Sequence, residues 1–145
     1  MSRIGRERIL ALIPHGGAMC LLDEVLDWDA DSVRCLSHCY RNQDNPMRRA
    51  DGTLGAACGI EMAAQAMAVH GRLTAHDAGP PVPGYLVSLR DVRLARAQLD
   101  AAGPLIISAT RLVGDTRGAS YSFTVTDGEA ELLGGRATVL FGANP

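Results

Sequence analysis

The sequence of 145 residues contains no lysine, so its 14 basic side chains are all arginine. These arginines form no basic run, and with 16 acidic residues they leave a net charge of −2. The chain therefore lacks the positive surface that marks a nucleic-acid-binding protein. Its first residues, Met-Ser-Arg-Ile-Gly-Arg-Glu, also lack the long apolar core of a signal peptide.

Cysteine is present, but not in a metal-binding or redox pattern. The four cysteines (Cys20, Cys35, Cys39 and Cys58) contain no C-x-x-C pair, the spacing typical of zinc sites and redox dithiols. The histidines form neither a His-Glu-x-x-His motif nor another cluster of ligand spacing. We therefore expect buried, reduced thiols in a cytoplasmic protein that needs no metal and no dissociable cofactor.

The stretch at residues 54–73 is the most informative part of the chain. Within residues 56–69 only Glu61 and Gln65 are polar, which predicts a helix that is buried nearly all round. The stretch is interrupted by Glu61 and is too short for a membrane span. Glu61 and Gln65 are one turn apart and share a helix face. A carboxylate in such surroundings is costly unless it is paired, protonated or used in chemistry.

The remaining segments predict a sheet around this helix. A short amphipathic helix precedes Pro14, and Asp127-Gly128 predicts a tight hairpin. Apolar or alternating runs predict strands at residues 19–28, 32–40, 85–94, 105–113, 119–126 and 129–141.

No repeat or linker interrupts this order, so we expect one domain over residues 1–145. It is of the α+β class, with an antiparallel sheet of five to six strands wrapped around one long central helix, and a short N-terminal helix. This is the hotdog architecture. Sheet edges are usually covered by pairing, so a homodimer or a heterodimer with another hotdog protein is expected.

Two motifs in this order resemble those of the beta-hydroxyacyl-acyl-carrier-protein dehydratases. The first is Ile13-Pro14-His15 followed by Leu21-Leu22-Asp23, and the second is Glu61-Met62-Ala63-Ala64-Gln65 on the central helix. More closely, the chain resembles the divergent subgroup of predicted hydroxyacyl-carrier-protein dehydratases that includes the partner proteins of aryl polyene clusters. The resemblance implies that Glu61 is catalytic and that the substrate is an acyl thioester on an acyl carrier protein.

One departure concerns the catalytic histidine, which lies in a loop before the helix in this family. The family spacing, counted back from Glu61, ends near Met47, and no histidine occurs between Tyr40 and Val69. His15 is then the most available second acid–base group, if the fold brings it near Glu61. The alternatives are a purely structural carboxylate at Glu61 and a histidine that pins the first helix to the sheet.

Several neighbours of Glu61 are candidates for substrate binding. Gln65 can orient the carboxyl group, and backbone N–H groups near Gly55 and Gly59 can polarise a thioester carbonyl. Arg48 and Arg49 can attract the acidic face of a carrier protein or a pantetheine phosphate. Tight packing for the glycines and an ordinary solvated loop for the arginines are the alternatives.

The expected function is therefore dehydration of 3-hydroxyacyl thioesters to trans-2-enoyl thioesters, of the fatty acid or polyene type. Two alternatives stay open on the same fold. One is a non-catalytic subunit of a heterodimeric dehydratase, and the other is an acyl thioesterase in which the helix carboxylate acts alone.

Overall fold

The computed structural model describes residues 3–13, 17–75, 84–99, 103–115 and 117–141. The helices are α1 (Arg6–Leu12) and α2 (Ala56–Leu73). The strands are β1 (Ile4–Gly5), β2 (Glu24–Trp28), β3 (Ser32–Ser37), β4 (Gly84–Leu94), β5 (Leu105–Gly114), β6 (Gly118–Thr126) and β7 (Glu131–Phe141). Short 3₁₀ turns occupy Gly17–Met19 and Cys39–Arg41. None of the described helices is long and apolar enough to span a membrane.

The described strands form one antiparallel sheet in the order β1-β2-β3-β5-β6-β7-β4. α2 packs against five of these strands, and the buried apolar side chains of sheet and helix form one core. The expected α+β hotdog architecture is confirmed, and the hairpin at Asp127-Gly128 joins β6 to β7. Gly128 adopts a φ of 98° there, which glycine reaches without steric cost.

The strand count and several strand ends differ from the expectation. β2 begins at Glu24 rather than at residue 19, and Gly17–Met19 form a 3₁₀ turn instead. The described residues form seven strands rather than five to six, because two-residue β1 is too short to give a sequence pattern. β3 ends at Ser37 rather than at Tyr40, since one carboxylate oxygen of Asp23 accepts the N–H groups of His38 and Cys39 at 2.7 and 2.8 Å. These two hydrogen bonds end the strand, and the chain continues into the 3₁₀ turn at Cys39–Arg41.

The expectation that α2 is buried nearly all round was wrong for one face. Most of the helix is buried, but Ala57 is exposed and Ile60, Glu61, Ala64 and Ala68 are only half-buried. These residues are spaced three or four apart and so form one stripe. The sheet of this chain ends at the edge strand β4 and does not reach across the stripe.

The cysteines meet the expectation of buried, reduced thiols. All four are buried and free of disulfides. Burial raises the pKa of Cys35 to about 12 and that of Cys39 to about 11. Because the thiolate is the reactive form of cysteine, these two side chains are inert packing groups.

β4 carries a bulge opposite the glycine pair Gly134-Gly135 of β7. The register shifts between Arg90 and Arg93, and Asp91 within this step has a φ of 53°. A Cβ atom at Gly135 would lie 3.1 Å from the carbonyl oxygen of Arg90. The glycine therefore leaves room for the displaced backbone of β4.

His70 joins α2 to two other elements from inside the core. Its Nε2 lies 2.9 Å from the carbonyl oxygen of Asp29, and its Nδ1 lies 2.7 Å from the hydroxyl of Tyr121. Because a carbonyl can only accept, Nε2 carries the proton and Nδ1 accepts from Tyr121. Burial lowers the pKa of His70, and the nearby Arg111 adds to this. The ring is therefore neutral.

We expect the stability of the protein to fall in mild acid because of His70. The unfolded chain has the higher histidine pKa, about 6.5, so it binds the proton first and stability is lost as the pH falls below that value. The slope from one such group is at most about 1.4 kcal/mol per pH unit. Denaturant unfolding between neutral and mildly acidic pH should show a shallower slope for His70→Gln. The exposed His38→Gln should keep the wild-type slope, and equal slopes for all three proteins would contradict this account.

Candidate functional site

A cavity of about 420 Å³ lies between the open stripe of α2 and the end of the sheet. Its lining residues are Met47, Ala57, Ile60, Glu61, Ala64, Ala68, Leu86, Val139 and Phe141. Leu86 and Val139 face each other across β4 and β7, so the sheet forms one wall and α2 the other. Small alanine side chains on the helix wall leave the space open.

Glu61 is the ionisable side chain among the described residues that line this cavity. The other lining side chains are apolar, and the Glu61 side chain is half-buried rather than in bulk solvent. The position fits an acid or base that meets a largely apolar ligand.

Met47 lies where the family spacing would have placed a histidine, and it lines the same cavity as Glu61. The buried Asn45 fixes this loop. Its Oδ1 accepts the N–H of Met47 at 2.8 Å, and its Nδ2 donates to the carbonyl of Tyr40 at 2.8 Å. The loop therefore presents a thioether to the cavity at the point where an imidazole was expected.

The histidines lie in different parts of the molecule. His15, the predicted second catalytic group, falls outside the described residues, as does His76. His38 is exposed and lies 3.6 Å from the Asp23 carboxylate, while His70 is held within the core. No described histidine lines the cavity of Glu61. In the described ranges, no three His, Cys, Asp or Glu side chains come together as metal ligands would.

Gln65 is occupied by the chain segment that precedes β2. Its Oε1 accepts the N–H of Leu21 at 2.9 Å, and its Nε2 donates to the carbonyl of Met19 at 2.8 Å. The side chain is buried and is not among the residues that line the cavity. It therefore positions the segment through Met19 and Leu21, and both ends of its amide are used in doing so.

Gly55 and Gly59 lie at the start of α2. Gly55 is the N-cap residue, and a Cβ atom there would overlap the guanidinium of Arg49. A Cβ atom at Gly59 would lie 2.5 Å from Cδ2 of Leu133. Gly59 therefore permits close approach of α2 to β7. Gly55 makes room for the guanidinium of Arg49, and the next N–H group, that of Ala56, donates to the carbonyl of Ala97 at 3.0 Å.

The two arginines before α2 have different surroundings. Arg48 donates from Nε, Nη1 and Nη2 to the carbonyls of Asn42, Gly52 and Arg41 at 2.6 to 2.9 Å. It therefore holds its own loop together. Arg49 is exposed, and its guanidinium lies beside the N-terminus of α2. Of the two, Arg49 is the one placed to meet a ligand from solvent.

Asp23 of the first sequence motif links elements of the fold. It lies 3.9 Å from Arg6, whose guanidinium also donates to the carbonyls of Leu22 and Gly17. Together with its bonds to residues 38 and 39, this ties α1, β2 and the end of β3 into one corner. The cavity residues on β4 and β7 belong to no sequence motif and were not predicted. The three- and four-residue spacing of Ala57, Glu61, Ala64 and Ala68 could have indicated that they share one face of α2.

The fold is shared with known proteins. It is the hotdog fold, and the similar solved structures include a dehydratase complex and thioesterases. The model of the ApeP-like family, described as ApeP dehydratase, matches residues 7–144. The chain belongs to this ApeP-like dehydratase family. A search of curated proteins gives no match.

Solved structures show the same fold. A chain of the dehydratase heterocomplex ApeI:P from Xenorhabdus doucetiae is similar, with 25% identity, a TM-score of 0.78, and coverage of 94% of this chain and 91% of that one. A thioesterase from Pseudomonas aeruginosa has 12% identity and a TM-score of 0.66, with coverage of 94% and 92%. Zebra fish thioesterase superfamily member 2 has 15% identity and a TM-score of 0.65, with coverage of 94% and 95%.

We expect Gln65→Met to destabilise the fold. The variant keeps the volume but leaves the buried N–H of Leu21 and the carbonyl of Met19 without their partner, at a cost of about 2–4 kcal/mol in total. Chemical denaturation measures the loss. Gln98→Met, at an exposed position, is the matched control and should unfold like the wild type. A stable Gln65→Met protein with weakened substrate binding would instead assign Gln65 to the ligand.

Proposed function

We propose that the chain removes water from 3-hydroxyacyl thioesters carried on an acyl carrier protein, giving trans-2-enoyl thioesters. Membership of a dehydratase family supports the reaction type. The observation that carries the proposal is the position of Glu61, a single carboxylate at an otherwise apolar cavity. Such a cavity accepts an acyl chain and keeps water away from the reacting carbons.

The reaction needs a base for the α proton and an acid for the β hydroxyl group. The thioester makes the α proton acidic, and the hydroxyl leaves as water once it is protonated. We assign one of these roles to Glu61 and the other to His15. The N–H group of Ala56 donates to the carbonyl of Ala97, so another N–H group of the first turn of α2, near Gly55, would stabilise the negative charge that develops on the thioester oxygen.

A second hotdog subunit would complete the cavity. The edge strand β4 exposes Leu86, Val87, Leu89, Val92 and Leu94, and Leu86 also lines the cavity. A long apolar edge strand is usually covered by a partner. The similar Xenorhabdus protein forms a heterocomplex, which supports a heterodimer here. Strand pairing along β4 would enclose the exposed stripe of α2.

The carrier protein would approach at the start of α2. Arg49 is exposed there, and the positive end of the helix dipole lies next to it. Both favour the phosphate of a pantetheine arm or an acidic protein surface. The free, buried cysteines fit a reducing cytoplasm, where such carriers operate.

We expect Glu61→Gln to lower turnover at least about a hundredfold, because the amide cannot exchange a proton in the reaction. Formation of the conjugated enoyl thioester, followed by its absorbance, measures this. Glu129→Gln changes an exposed hairpin carboxylate and should leave turnover unchanged. Unaltered turnover in Glu61→Gln would remove Glu61 from the mechanism, and free thiol in place of the enoyl product would show hydrolysis.

His15→Asn tests the second assignment. If His15 and Glu61 act in the same step, each single variant should lose nearly as much activity as the double variant. The matched control is the exposed His38→Asn, which should retain activity. Full activity in His15→Asn would show that the second group comes from elsewhere, and the partner subunit would be the next place to look.

A non-catalytic subunit is the second candidate, and Met47 is the observation that favours it. A thioether cannot transfer a proton, and Met47 lines the cavity where the family has its histidine. In this case the wild-type chain alone is inactive, and Met47→His should give measurable water loss that again depends on Glu61. A wild-type chain that is active alone would rule this candidate out.

A further inference from the structure

The two ends of the cavity differ in polarity. At the end near the start of α2 lie Glu61, Met47 and the loop that carries Arg49. Beyond Glu61 the walls consist of Ala64, Ala68, Leu86, Val139 and Phe141, which we call the acyl track. All five side chains are apolar, so this part of the cavity offers a ligand burial but no hydrogen bonds from side chains.

Two contacts establish the direction of the track along the helix. α2 and β7 touch near their beginnings, where Gly59 packs against Leu133, and near their ends, where Gly71 packs against Phe141. The strand and the helix therefore run in the same general direction. The acyl track leads away from Glu61 towards the C-terminal end of α2.

Phe141 lies at the far end of this track. A Cβ atom at Gly71 would stand 2.9 Å from Cζ and 3.1 Å from Cε1 of the Phe141 ring, so the ring rests on the helix backbone at the glycine. The same ring lines the cavity beside Ala68. A ring in this place fills the gap between helix and strand beyond the last alanine of the track.

We propose that Phe141, seated on Gly71, closes the acyl track and sets the longest acyl chain that the site accepts. This rests on the proposed function, in that the ligand is an acyl thioester whose reacting carbons lie at Glu61. The polar groups at the start of α2 suit the thioester and its carrier, so the apolar tail takes the opposite direction. Gly71 acts through Phe141 and is a positioning residue.

The helix itself gives the length of the track. Seven residues from Glu61 to Ala68 rise about 10 Å, and an extended chain advances about 1.2 Å for each bond. The track therefore holds about eight bonds beyond the β carbon, which corresponds to an acyl chain of about eleven carbons. Each methylene buried along the track should improve affinity about fourfold, until the chain meets Phe141.

Binding of a graded series of S-alkyl pantetheines, which resemble the substrate but cannot react, tests the proposal. The protein is used as purified, with any hotdog partner that accompanies it. Affinity of the wild type should rise with chain length and then stop rising. Phe141→Ala should move that limit to longer chains. Gly71→Ala should move it to shorter chains, because the new methyl group drives the ring towards the track.

Leu140→Ala is the matched control, since Leu140 is the neighbouring residue on the opposite face of β7 and should leave the limit unchanged. A limit that does not move in opposite directions in the Phe141 and Gly71 variants overturns the proposal, as does the absence of binding at every length. Turnover of 3-hydroxyacyl thioesters is measured on the same proteins. Shifted limits without turnover would uphold the chain-length stop and reject the dehydratase function, whereas turnover with unshifted limits would do the reverse.

Discussion

The close approach of α2 to the sheet is the constraint on which the rest of the structure depends. Gly59 and Gly71 bring the helix backbone against Leu133 and Phe141, and any larger side chain would push the layers apart. Between these two contacts Ala64 and Ala68 stay partly open, because the sheet of this chain ends at the edge strand β4 and does not reach across them. The cavity is therefore a consequence of how the helix packs, and Glu61 faces it because it shares the stripe of those alanines.

The polar side chains discussed above have two kinds of surroundings: most bind backbone groups of loops, and Glu61 lines the cavity. Gln65, Asp23, Asn45 and Arg48 all bind backbone groups of loops, and none of these four side chains lines the cavity. A buried polar group that is fully hydrogen-bonded fixes a conformation at little net cost. Glu61 instead lines the cavity, where the other lining side chains are apolar. This position adds to the sequence motif as support for the role proposed for Glu61.

The sequence was sufficient to predict the architecture, because each long element had its own local signal. The alanine-rich run predicted α2, the alternation of apolar and polar residues predicted β6, and Asp127-Gly128 predicted the turn between β6 and β7. Two-residue β1 has no such signal, and the end of β3 depends on Asp23, which is distant along the chain. The role of Gln65 was not predictable either. Its partners Leu21 and Met19 contribute only backbone atoms, and any residues there would offer the same groups.

The bulges of β4 have a consequence for assembly. A regular edge strand has unpaired backbone N–H and C=O groups at even spacing, so almost any exposed strand can pair with it. Such pairing leads to aggregation. The steps at Leu86–Ser88 and Arg90–Arg93 interrupt the repeat of these groups at two points. Only a strand with matching offsets can continue the sheet along its full length. The bulges of β4 therefore limit which strands can pair with it along its whole length, and they disfavour nonspecific pairing.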